Sequence, residues 1–208
     1  MRVCYFITHF PYPDLLDHST YFKKYKHGGA EVAAFELSIE IAKRNDVHVF
    51  TTSISALNSI NVYNNVKVHR YATVFKLDKG NISPMLFIKP LNYDTDIIHA
   101  HFSTPPGELA ALRYAKKKKK PFVLTYHGDW QESYGSVIRK LSLVFYNNQL
   151  LHRLLSYADR IIVPSKYYIH ESRFLNRHRE KVVVIPNGVR NERFSLPYSK
   201  EKCRMCLL

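Results

Sequence analysis

The sequence predicts a doubly wound α/β domain around a mostly parallel sheet. Two observations carry that expectation. Short apolar runs of strand length alternate with longer segments whose apolar residues recur at helical spacing, the pattern of repeated strand-helix-strand units. The motifs richest in glycine and histidine follow the apolar runs, where a parallel sheet presents its carboxyl ends to ligands. The chain has 208 residues, about 1.4 domains at roughly 150 residues each, so one domain with appendages is expected.

Each element follows from its residues. Val3 to Thr8 is a buried strand, and a long loop rich in Pro and Tyr runs from it to Gly28 and Gly29. Ala30, Ala33, Ala34, Leu37 and Ile41 then fall at helical spacing, with Val32, Phe35 and Ile39 widening the face, so a largely buried helix is predicted. Val47 to Thr52 and Val66 to Tyr71 read as strands joined by a connection rich in Ser and Asn. Ile97 to Ala100 is a short buried strand, Pro105 to Lys116 a helix with proline in its first turn, and Phe122 to Tyr126 the next strand. A long helix is predicted from near Ser136 to Ala158, then a strand at Arg160 to Val163, a helix at Lys166 to Asn176 and a strand at Val182 to Ile185. Residues 195–208 lack periodicity and read as a tail, so the domain spans 1–194.

Composition removes several classes. With 46% hydrophobic and 13% aromatic residues, the chain is neither disordered nor collagen-like. Its three cysteines, Cys4, Cys203 and Cys206, form no disulfide framework and fit a reducing compartment. A CxxC at a terminus is more often incidental than half a zinc site. No apolar run reaches spanning length, and Val3 to Ile7 is too short for a signal peptide, so a cytoplasmic location is expected. Lys and Arg number 31 against 17 Asp and Glu, a formal net charge of +14. Nucleic acid, an anionic membrane surface or a phosphorylated small molecule would each meet that charge.

Four segments could carry chemistry. His27-Gly28-Gly29-Ala30-Glu31 precedes the first helix, where paired glycines allow close backbone approach and unpaired N–H groups favour phosphate. The same pattern also serves as a tight loop, with Glu31 capping the helix or accepting a sugar hydroxyl. His99 and His101 fall on one strand face if the strand continues that far, as two metal ligands, as two hydrogen-bonding groups, or as one core and one rim residue. No further ligands stand at metal-site spacing. His127 emerges at a strand end before Gly128, and Asp129 is a candidate for fixing its tautomer. Asn187-Gly188 ends the last strand as a turn, linker or hinge.

Taken in order, GGAE at 28–31, DIIHAH at 96–101, LTYHGD at 124–129, ADRIIVPS at 158–165, VIPNGV at 184–189 and then Arg193-Phe194 resemble the N-terminal half of GT-B glycosyltransferases of family 4. The resemblance implies one Rossmann-like half of a GT-B architecture. The enzyme would be retaining, moving a sugar from a nucleotide-sugar donor to a glycan or lipid-linked acceptor in the cleft between two domains. By resemblance, Gly28 and Gly29 approach the donor phosphates, His127 contacts the donor sugar, and Glu31, His99, His101 and Asp129 are acceptor-side candidates. Asn187 and Gly188 lie at the passage into the second domain. Such enzymes usually work without a metal, so no cofactor is expected.

The family's donor signature, two glutamates eight residues apart, is missing: no two of the nine glutamates have that spacing. The expectation is therefore an acceptor-side half, inactive alone, whose donor domain is truncated, frameshifted away or carried on a separate chain. The charge has its own readings. Lys116 to Lys120 close a helix, where cations favour the dipole. With Arg139, Lys140 and Arg153 they could also form a face for the inner membrane surface. A non-catalytic nucleic-acid module would need basic residues interleaved with aromatics, which Tyr21, Tyr25, Tyr167 and Tyr168 weakly permit, but no such motif is recognised. A metal-dependent hydrolase built on His99 and His101 is the remaining alternative. A barrel of that kind takes about 250 residues.

Overall fold

The computed structural model describes residues 1–13, 28–77, 80–130 and 137–188. Eight strands form one sheet in the order β10-β9-β8-β7-β1-β2-β4-β3. They are β1 (Arg2–Phe6), β2 (Asp46–Thr52), β3 (Ser59–Tyr63), β4 (Val66–Tyr71), β7 (Ile97–Phe102), β8 (Phe122–Tyr126), β9 (Arg160–Val163) and β10 (Val182–Val184). Every pairing is parallel except β3 with β4. The doubly wound α/β expectation holds.

Period-two alternation splits the strands between two cores. On one face Val3, Tyr5, Val47, Val49, Val66 and Val68 pack under helix α1 (Gly29–Ala42), which contributes Ala34, Phe35, Ile39 and Ala42. On the other, Cys4, Phe6, Phe50, Ile98, Phe102, Phe122, Leu124 and Ile161 pack under α3 (Gly107–Lys118) and the long helix before β9. That helix runs as α4 (Val137–Phe145), a π-helical segment (Tyr146–Leu151) and α5 (His152–Tyr157).

Between β4 and β7 lie the hairpin of β5 (Phe75–Leu77) and β6 (Gly80–Ile82), helix α2 (Met85–Ile88) and a 3-10 turn (Lys89–Asn92). None of these was read from the sequence, because each is too short to show a period. Nor was β3, assigned to the Ser- and Asn-rich connection. Its signal was present: Asn64 and Asn65 take φ of 46° and 67°, as the two central residues of a tight hairpin turn do.

Two further expectations need correction. The apolar face of α1 is only partly buried against the sheet, since Leu37 is exposed and Ala33, Leu37 and Ile41 line a cavity instead. The helix expected over Lys166 to Asn176 stops at α6 (Tyr167–Glu171), and a 3-10 segment follows (Leu175–Lys181). The cause is Ser172, extended at φ −78° and ψ 121°. Its Oγ accepts the N–H groups of Phe174 and Leu175 and donates to Asp129, a local alternative to helix of the kind serine offers.

The sheet's carboxyl edge is fixed by two devices. The Thr8 hydroxyl donates to the Thr104 carbonyl and accepts the Gly107 N–H at 2.7 Å. A Cβ on Gly107 would stand 2.5 Å from the Thr8 nitrogen, so only glycine lets α3 start this close to β1. Arg70, fully buried, donates to the carbonyls of Phe10 at 2.8 Å and Pro11 at 2.5 Å, and its guanidinium lies 3.5 Å from the Tyr12 ring centroid. Such a charge is tolerable because the stack and the carbonyl oxygens replace its water.

Candidate functional site

β7 continues through Phe102, so His99 and His101 do share a face. Ile98, Ala100 and Phe102 enter the core under α3, and both histidines point to the α1 side. Parallel register sets Tyr5 of β1 beside His99, and Val123 and Thr125 of β8 beside His99 and His101. His127 follows directly after β8 and before Gly128, whose φ of +134° suits glycine.

The result is a ladder of rings. Tyr5 lies 4.9 Å from His99 between centroids, His99 stacks on His101 at 4.7 Å and His101 on His127 at 5.4 Å. His99 Nε2 and the Thr125 hydroxyl share a hydrogen bond of 2.7 Å, and His101 Nδ1 and His127 Nε2 share one of 3.1 Å. His101 Nε2 is buried without a hydrogen-bond partner. Burial pushes His99 down to about 3 and His101 well below the ordinary imidazole value, with His127 lowering both further and His99 adding to the effect on His101. Burial also lowers His127, while the Glu31 carboxylate opposes that shift.

Glu31 ties the first motif to this ladder. It reaches back over its own helix start: the Gly28 N–H donates to Glu31 Oε2 at 2.7 Å. Its carboxylate is also the group that favours the charged form of His127. A Cβ at Gly29 would meet nothing within 4 Å, and this backbone stands open to a ligand. His27 lies outside the described residues. Asn187 and Gly188, exposed past β10, help line a cavity of about 1220 Å³ whose floor includes His99, His101, Thr125 and Ile162 and whose wall is α1.

Asp129 does not orient His127. Its carboxylate accepts from the Tyr126 hydroxyl at 2.6 Å, the Ser172 hydroxyl at 2.6 Å and the Arg173 N–H at 3.3 Å. It knots the end of β8 to the segment after α6, a contact that adjacency in sequence could not reveal. Asp129→Ala is therefore expected to lower unfolding free energy by about 2 kcal/mol in urea titration, with the His127 imidazole resonances unmoved. Among the described residues no group of three or more His, Cys, Asp or Glu could hold a metal ion.

A model of Glycosyltransferase Family 4 matches residues 27–193. The chain belongs to that family. The O-antigen chain mannosyltransferase C of Escherichia coli is 26% identical over 166 residues, covering 78% of this chain and 42% of the relative. Among solved structures, Anabaena Alr3699/HepE in complex with UDP covers the whole chain with 50% of its own length at TM-score 0.57 and 15% identity. The same protein with UDP and glucose gives TM-score 0.58 at 15% identity, again over 100% of this chain and 50% of its own. The chain thus spans half or less of these relatives. Its sheet is the Rossmann-like N-terminal half of a GT-B architecture.

Within this Glycosyltransferase Family 4 domain, two site features escape sequence reasoning. Tyr5 sits in an ordinary apolar strand, and only the register of β1 beside β7 brings it to the histidines. The bond between His101 and His127 joins residues 26 apart and depends on β7 pairing with β8.

Proposed function

We propose that this domain is the acceptor-side half of a retaining hexosyltransferase using a nucleotide-sugar donor. The observation that carries the proposal is the bond of 3.1 Å by which His127, just past the carboxyl end of β8, joins His101 in the cavity walled by α1, whose first residue, Gly29, has an unobstructed backbone. In this reading the diphosphate lies against the N-terminus of α1, where N–H groups and the helix dipole favour negative charge. His127 contacts the donor sugar, and the acceptor approaches along the cavity floored by His99 and His101. Asn187 and Gly188 act as the hinge to a donor-nucleotide domain, contributed by the other half of an enzyme of the relatives' length. The relatives suggest the donor class: HepE is solved with UDP-glucose, and the curated relative is named a mannosyltransferase.

In this proposal, no metal is needed. Residues 1–208 joined to a donor-nucleotide domain transfer hexose from UDP-glucose or a nucleotide-activated mannose in EDTA, with the anomeric configuration kept. Residues 1–208 alone transfer little or none. Robust turnover by 1–208 alone would overturn the division of labour, and no transfer by the joined protein would overturn the transferase reading.

A lipid-linked acceptor fits the surface of α4. Among the described residues no helix is long and apolar enough to cross a membrane. Yet Val137, Leu141 and Phe145 are 72, 65 and 61% exposed along one helix face, beside the exposed Lys140. We assign this face to an anionic membrane surface, where apolar side chains enter the acyl boundary and cations meet lipid charge. Leu141→Glu with Phe145→Glu is expected to reduce cosedimentation with phosphatidylglycerol vesicles roughly tenfold or more; unchanged cosedimentation would remove the assignment.

A further inference from the structure

The structure assigns His101 as a positioning residue that holds the His127 proton on Nδ1, an assignment that rests on the reading of His127 as the donor-sugar contact. The bond between His101 Nδ1 and His127 Nε2 needs one N–H, and two neutral arrangements supply it. In one, His101 carries its proton on Nδ1 and donates it, leaving a bare lone pair on Nε2. In the other, His127 donates from Nε2, and the His101 proton sits on its own Nε2. That nitrogen is buried with no partner, so the second arrangement strands an N–H donor inside the protein. Buried donors without acceptors are rarer than under-satisfied acceptors, and an unmade bond there costs about 1–3 kcal/mol. The first arrangement wins.

Its consequence falls on His127. With Nε2 accepting from His101, the neutral His127 ring carries its proton on Nδ1. That atom has no hydrogen-bond partner among the described residues, and the ring is half-buried. His127 therefore offers a donor to a hydroxyl or phosphate oxygen of the ligand. The ladder keeps it so: His101, 1% exposed, is stacked against His99 at 19° and against Tyr5 at 23° between ring planes. Its ring has no room to exchange the two nitrogens. Burial keeps both His99 and His101 neutral at pH 7. Asp129, the carboxylate nearest in sequence, is occupied by Tyr126, Ser172 and Arg173.

The test uses the 208-residue chain labelled with 15N-histidine, read by long-range proton-nitrogen correlation. The expected spectrum shows Nδ1–H tautomers for both His101 and His127. His101→Phe keeps an aromatic ring but removes the donor, and His127 becomes a mixture of tautomers. His101→Asn places an amide nitrogen where the imidazole Nδ1 was, so His127 stays with its proton on Nδ1. Joined to a donor domain, His101→Phe lowers kcat roughly tenfold, and His101→Asn recovers most of it. An Nε2–H tautomer for His127 in the unsubstituted chain would overturn the assignment, as would an unchanged His127 in His101→Phe. If that variant does not fold, the unsubstituted spectrum and His101→Asn decide the matter. The tautomers are read without turnover: the expected spectrum in a protein that transfers no sugar would sink the transferase reading and leave the positioning supported.

Discussion

His127→Ala is expected to lower kcat by about two to three orders of magnitude, the usual loss when a preorganised donor is removed from developing charge. Stability should fall by no more than about 2 kcal/mol, the cost of leaving the His101 Nδ1–H without its acceptor. The separation of the two effects follows from position. His127 stands just past β8 and is only half-buried, whereas its ring closes the ladder that begins at Tyr5. A steady-state assay of the joined protein, paired with a thermal melt, reads both. Turnover within about threefold of the unsubstituted protein would remove His127 from the reaction.

Glu108→Gln should change how stability depends on pH by on the order of 3 kcal/mol, at about 1.4 kcal/mol per pKa unit. Glu108 opens α3 and is fully buried, with Oε1 accepting from the Tyr146 hydroxyl at 2.6 Å and Oε2 unpartnered. Burial raises its carboxyl from the ordinary 4.5 to about 7, against the hydrogen bond from Tyr146. Between those values the folded protein holds a proton that the unfolded chain has released. Its stability contribution is therefore complete below pH 4.5 and is lost as pH rises through about 7. The buried histidines act with the opposite sign. His99, held near 3, and His69, held near 4, must stay neutral in the fold, so their contribution is present above the ordinary 6.5 and fades as pH falls. Both proteins share that acid limb, and it cancels when they are compared. Urea unfolding at pH 5 and pH 8 should show the glutamine variant gaining about 3 kcal/mol relative to the parent between the two. Parallel curves would mean that Glu108 ionises normally.

Legibility in the sequence followed the length of each signal. The runs Val47 to Thr52 and Phe122 to Tyr126 became strands because buried parallel strands read as continuous apolar segments. The short pieces between β4 and β7 left no period to read. At the candidate site, GGAE opens α1, DIIHAH forms most of β7 and LTYHGD runs from the end of β8 into the loop after it. The partners within it were not legible. Asp129 is two residues from His127 yet serves Ser172, 43 residues away, while His127 is held by His101, 26 residues earlier.

Sequence alone determined the alternation of strands and helices, and with it the carboxyl edge of the sheet, where α/β folds bind their ligands. It also set the same-face placement of His99 and His101, because strand geometry repeats every two residues. Only the tertiary structure decided which rings stack, which nitrogen of His127 is engaged, and that Glu31 is turned back onto the Gly28 N–H. Those facts depend on the register of β1, β7 and β8 side by side. Register is set by packing across the whole sheet, and no local run of residues encodes it.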